Sequence, residues 1–107
     1  LNNGERWEVN TETSQVISEM QSVIGDFSQQ GTSREVMYKE LSEKLMYYLE
    51  KAHSTNTTKG EAHDQLEKYL QPMKRYFEDL NSGDASRANN SIEKLKYHLK
   101  AYNNYFE

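Results

Sequence analysis

The sequence predicts an all-α protein, an antiparallel up-and-down four-helix bundle preceded by a short extended N-terminal arm. Three observations carry that expectation. Apolar residues recur at steps of three and four in four separate stretches, and short runs of Gly, Ser, Thr and Asn divide those stretches. The chain of 107 residues has room for one modest core and therefore one domain, 1–107. The arm is expected over 1–10 and the helices over about 11–28, 33–52, 60–80 and 85–103. Connections this short make successive helices antiparallel neighbours.

In the arm, Gly4, Trp7 and Val9 stand among acidic residues, and Trp7 is the only tryptophan. Its large ring suits packing the arm onto the bundle, or alternatively stacking on a ligand. The first helix follows Asn10 or Thr11, either a good N-cap, and carries Val16, Ile17, Met20, Val23, Ile24 and Phe27 on one face. Gly31 suits the left-handed position that ends a helix, and Thr32 or Ser33 can cap the next. That second helix places Met37, Leu41, Leu45, Tyr48, Leu49 and Ala52 inward, with Glu35/Lys39 and Glu40/Lys44 as pairs on the solvated face.

The run His53-Ser54-Thr55-Asn56-Thr57-Thr58-Lys59-Gly60 is expected to break the helix, and Thr58 with Glu61 has capping-box spacing for the third. Ala62, Leu66, Leu70, Met73, Phe77 and Leu80 form its apolar face. Pro72 removes the bond to the Lys68 carbonyl, so a kink is expected over 68–72. Asn81-Ser82-Gly83-Asp84 closes it. The last helix starts from Asp84 or Ser86 and has the most regular stripe: Ala88, Ile92, Leu95, Leu99, Tyr102 and Phe106.

Charge narrows the function classes. A formal charge of −4 disfavours nucleic acid and anionic membrane surfaces, which need a surplus of Lys and Arg. The charge is uneven: residues 1–30 hold five acids and one base, residues 81–107 three acids and four bases, so the first and last helices should attract. No stretch is apolar for the roughly 20 residues that cross a bilayer. The chain begins with Leu1 rather than Met, which is read as a mature or trimmed start with any signal peptide removed. Zero cysteines exclude disulfides, thiolate metal sites and a Cys nucleophile, and leave cytosol and periplasm both open.

Catalytic patterns are missing. The chain has no Gly-rich nucleophile elbow, no phosphate-cradling glycine motif and no repeated Glu-x-x-His of a di-iron bundle. One segment is chemically suggestive. His63 and Glu67 are four apart and share a helix face, where an imidazole and a carboxylate can hold a divalent ion such as zinc, with Glu61 or Asp64 adding an oxygen. The structural alternative is that His63 pairs with Glu67 or donates to a loop carbonyl, and that the acids favour the helix dipole. His53 and His98 read as ordinary surface residues. Eight tyrosines, five of them at positions 69, 76, 97, 102 and 105, either border a small core or form a partner surface. Met20, Met37, Met46 and Met73 are scattered, as core fillers are.

Three stretches together resemble a family of small helical proteins exported to the periplasm of Bacteroidetes-type bacteria: Asn3-Gly4-Glu5-Arg6-Trp7-Glu8-Val9-Asn10, Thr58-Lys59-Gly60-Glu61-Ala62-His63-Asp64-Gln65-Leu66, and Leu99-Lys100-Ala101-Tyr102-Asn103-Asn104-Tyr105-Phe106-Glu107. The resemblance implies export and a shared bundle. Many such relatives carry a Cys before the Thr-x-Lys-Gly segment and several His after it, a pattern like a metal or heme site. This chain has Asn56 in place of that Cys, and Glu67, Gln71 and Met73 in place of His, with His63 in common. Loss of those ligands argues against a tight transition-metal site. The expectation is thus a non-enzymatic exported binding or interaction module without a cofactor, a monomer or homodimer whose partner is a protein or small ligand. The alternative is a metal-binding or metal-sensing protein centred on His63, Glu67 and Glu61.

Overall fold

A computed structural model of the chain describes residues 4–28 and 35–107. Five helical segments run α1 (Thr11–Ser28), α2 (Glu35–Thr55), α3 (Gly60–Leu70), α4 (Met73–Leu80) and α5 (Ala85–Tyr105). They fill four bundle positions, because α3 and α4 are two halves of one kinked helix. α1 and α4 each lie between α2 and α5, which closes an antiparallel up-and-down ring. The molecule measures 42 × 25 × 19 Å. No described helix is long and apolar enough to cross a membrane.

The core is the set of apolar stripes, joined into one cluster. All six stripe residues of α5 and its exit, Ala88 through Phe106, are buried, as are Leu66, Leu70, Met73, Phe77 and Leu80. Val23, Met37 and Tyr48 are only half-buried, and Tyr38 instead of Met37 turns fully inward on α2. Its ring packs against Phe27 and its hydroxyl donates to Asn89 Oδ1. Three buried polar residues, Thr13, Ser42 and Ser91, also sit in the core. Ser42 Oγ donates to the Phe77 carbonyl at 2.8 Å, so a small hydroxyl links α2 to α4 where a larger apolar side chain would otherwise stand.

The kink falls at Gln71-Pro72, within the expected span. Pro72 has no N–H, and the helix restarts with it as the residue before α4. Beside the break, the carbonyl of Tyr69, in the last turn of α3, meets a donor from α5. His98 Nε2 lies 2.6 Å from it, and since a carbonyl only accepts, Nε2 carries the hydrogen. The Tyr69 hydroxyl donates in return to the His98 carbonyl at 2.8 Å, and the two rings stack at 4.2 Å. His98 is therefore a partner of the kink and not the surface residue expected from sequence.

Several boundaries and caps differ from expectation. α2 continues through His53 and Ser54 to Thr55, because the Thr55 hydroxyl bonds back to the Lys51 carbonyl at 2.9 Å and is compatible with the last turn. No capping box forms at α3: Lys59 is the N-cap without a side-chain bond, and Gly60 enters the helix at φ +67, which only glycine adopts without strain. Asp84 caps α5 through its carboxylate, which accepts from Ser86 and Arg87 N–H. α5 ends at Tyr105, two residues beyond the expected 103. The expected caps at Gly31, Thr32 and Ser33 and the start of the second helix at Ser33 lie outside the described residues.

Charge plays less part than the sequence suggested. Neither Glu35/Lys39 nor Glu40/Lys44 closes into an ion pair among the described residues, and α1 is tied to α5 by neutral bonds. Gln21 Nε2 donates to the Leu99 carbonyl at 2.8 Å, and Ser14 Oγ pairs with the Tyr102 hydroxyl at 2.8 Å. These bonds hold register, whereas exposed i,i+4 charges gain only a few tenths of a kcal/mol and lose side-chain entropy.

Candidate functional site

The polar residues with chemical potential gather at one end of the bundle, where the arm, the start of α1, the α2–α3 corner and the end of α5 meet. The arm lies beside the chain end as a parallel bridge between Trp7 and Phe106. Trp7 N–H donates to the Tyr105 carbonyl at 2.7 Å, Glu107 N–H to the Trp7 carbonyl at 2.8 Å, and Val9 N–H to the Glu107 carbonyl at 2.8 Å. Arg6 closes the same edge with a 3.0 Å ion pair to Glu107. Val9 is buried and Trp7 packs partly against the core, which is the arm-packing role its ring suited.

Asn10 fastens the α2–α3 corner to this arm. Its Nδ2 donates to the Thr55 carbonyl at 2.9 Å, and its Oδ1 accepts from Thr57 N–H and from the Thr58 hydroxyl. Its backbone N–H donates to Thr58 Oγ1 at 3.2 Å. Asn10 was legible as a helix cap; its side chain serves the neighbouring corner instead, and only its carbonyl joins α1, accepting from Ser14 N–H. Below it, Thr55 donates to Lys51, so the buried Thr13 hydroxyl donates to Thr55 at 2.9 Å.

His63 and Glu67 do face the same side of α3, and a third and fourth residue join them. Asn56 Nδ2 lies 3.1 Å from Glu67 Oε1 and 3.3 Å from His63 Nδ1, bridging the two. His53, from the last turn of α2, places Nδ1 2.9 Å from Glu67 Oε2. Sequence reading missed His53; the available signal was its place at the end of one helix, which a short corner folds against the start of the next. Glu61 does not join this cluster. It lines a groove beside Trp7 and Glu8, while Asp64 is exposed. Among the described residues no three His, Asp or Glu side chains are placed to hold a metal ion. The cluster is a hydrogen-bonded network in which each carboxylate oxygen of Glu67 already has a nitrogen partner.

The groove beside the cluster has a volume of about 550 Å³ and runs between the arm and the start of α3. Arg6, Trp7, Glu8, Lys59 and Glu61 line it. Phe106, the bridge partner of Trp7, belongs to an aromatic cluster in which Tyr69, Tyr102 and Phe106 meet at centroid distances of 5.0–5.6 Å. Burial pushes the Tyr69 phenol far above its ordinary value, with the nearby Tyr102 phenol adding to the rise. Burial likewise raises Tyr102, against a lowering by its bond to Ser14. These phenols are held neutral as packing groups. Of the remaining tyrosines of the second half, Tyr97 and Tyr105 are exposed and Tyr76 is half-buried.

Ser14, Ser28, Ser42 and Ser91 each direct the hydroxyl to a structural partner, and no buried side-chain nitrogen or oxygen among the described residues lacks one. A scan against protein-family models, a search of curated proteins and a search of solved structures each found no match.

Proposed function

We propose that the protein is a non-enzymatic binding module that recognises its partner at the arm end of the bundle. The observation that carries this reading is the groove of about 550 Å³ between the arm and α3, lined by charged side chains on a floor fixed by Asn10. A polar recess whose floor is already hydrogen-bonded presents its groups with less ordering to do on binding. The resemblance to exported bundles supports a periplasmic location, which fractionation of the host tests. Native mass spectrometry of the protein purified from its host checks the binding reading. A stoichiometric adduct that disappears when Glu8→Lys and Glu61→Lys are combined supports it; a bare monomer, or an adduct indifferent to both changes, overturns it.

A second reading is metal binding or sensing centred on His63. The arrangement that favours it is the pair of imidazoles, His53 and His63, bonded around Glu67 and Asn56. An ion at this place requires the network to open so that ring nitrogens and carboxylate turn to one point. Zinc calorimetry decides it: one-to-one binding lost in both His53→Ala and His63→Ala supports the reading, and no heat above buffer removes it.

A further inference from the structure

The arm has two edges, and Trp7 and Val9 bond along one of them. Trp7 and Val9 turn their peptide groups toward the chain end at 105–107. By the alternation of extended backbone, the peptide groups of Arg6 and Glu8 point the other way, into the groove. Among the described residues, Glu8 N–H and C=O form no hydrogen bond. The same edge ends where Asn10 N–H is taken by Thr58 Oγ1, so it is closed at the α3 corner, and among the described residues the main chain of Arg6 and Glu8 makes no hydrogen bond along it. A short edge with free donors and acceptors is a template for another extended chain.

The charge of the groove says which chain fits. Glu5, Glu8 and Glu61 line it against Lys59, while Arg6 and Glu107 neutralise one another at 3.0 Å; three carboxylates against one ammonium leave it negative. A second copy of this arm would bring Glu5 and Glu8 against their own counterparts, and a nucleic acid would be repelled. An extended segment with Lys or Arg at alternate positions meets both requirements, since every second side chain falls on the same face. We propose that the outer edge of the arm takes up a cationic extended peptide as an added strand, with its main chain on Glu8 and its basic side chains facing Glu8 and Glu61. This deepens the binding reading above and rests on it.

Trp7 lines the groove and is the only tryptophan, so its emission reports occupancy directly. The probe is a short peptide of alternating lysine and valine, titrated into the wild-type protein at low salt. The proposal expects a saturable change in Trp7 emission, weakened about tenfold or more by Glu8→Pro, which deletes the outer-edge N–H together with one groove carboxylate and leaves the inner-edge bonds in place. The same peptide N-methylated at its valines should bind about tenfold or more weaker to the unaltered protein, which repeats the test without any risk to folding. A glutamate-valine peptide should not bind. Equal affinity for the methylated peptide overturns strand addition in favour of mere charge attraction, and no saturable change up to about 1 mM overturns the cationic partner. Dimerisation of the protein alone, abolished by Glu8→Pro, would assign the edge to a second copy and overturn it too. Should the host adduct vanish with the charge reversals while the peptide fails to bind, this inference falls and the binding reading stands.

Discussion

Tyr69 and His98 hold each other across the kink through two reciprocal bonds, ring hydroxyl to carbonyl and ring nitrogen to carbonyl. His98→Leu keeps the bulk but strips the Tyr69 carbonyl of its outside donor. Leaving a part-buried carbonyl unpaired costs about 1–3 kcal/mol, to be read from urea unfolding; a loss below about 0.5 kcal/mol would show that the kink does not need this donor. The Tyr69 phenol supplies a second expectation. Its folded value is raised by burial and its unfolded value is about 10, so its contribution is fully present below that pH and is lost as pH rises above it. Above about pH 10 the unfolded chain binds fewer protons than the folded one, and each such group costs up to about 1.4 kcal/mol per pH unit. Urea midpoints at about pH 9 and 11 should therefore fall more steeply for the wild type than for Tyr69→Phe; parallel slopes would contradict burial as the cause.

Among the elements, the α2–α3 corner departs most from local rules. The run from His53 to Gly60 reads as a breaker, but the threonine hydroxyl that disfavours helix interiors also bonds back to a carbonyl, and α2 keeps another turn. Thr58 and Glu61 have capping spacing, but Thr58 is already engaged by Asn10, a residue 48 positions away. No periodicity carries such a contact. The stripe of α5, by contrast, was readable to the residue, because one face of a long helix must be apolar wherever its neighbours lie. Asn10→Ala removes the bonds to Thr55, Thr57 and Thr58 together, and at about 0.5–1.5 kcal/mol each it should cost roughly 1.5–4.5 kcal/mol in thermal or urea unfolding. Gly60→Ala forces a β-carbon into left-handed backbone and should cost about 1–2 kcal/mol. A neutral Asn10→Ala would mean the arm is not fastened by this corner.

For the molecule as a whole, the core and the site obey different rules. The core follows the spacing of apolar residues, and Leu95→Ala, at a fully buried position, should cost about 2–5 kcal/mol in urea unfolding. The site depends on which ends of which helices meet, and that is set by chain topology. His63 and Glu67 were legible as a pair because residues four apart on one helix share a face. His53 comes from another helix and Glu61 turns instead into the groove, so neither followed from spacing. On the proposed function, partners meet the protein at the arm end. Photocrosslinking in the host tests it most directly, with a benzophenone side chain placed at position 61 in the groove or at position 36, beside the far corner near Leu80 and Gly83. Crosslinked adducts from position 61 and none from position 36 are the expected result; adducts from position 36 alone, or from neither, would contradict it.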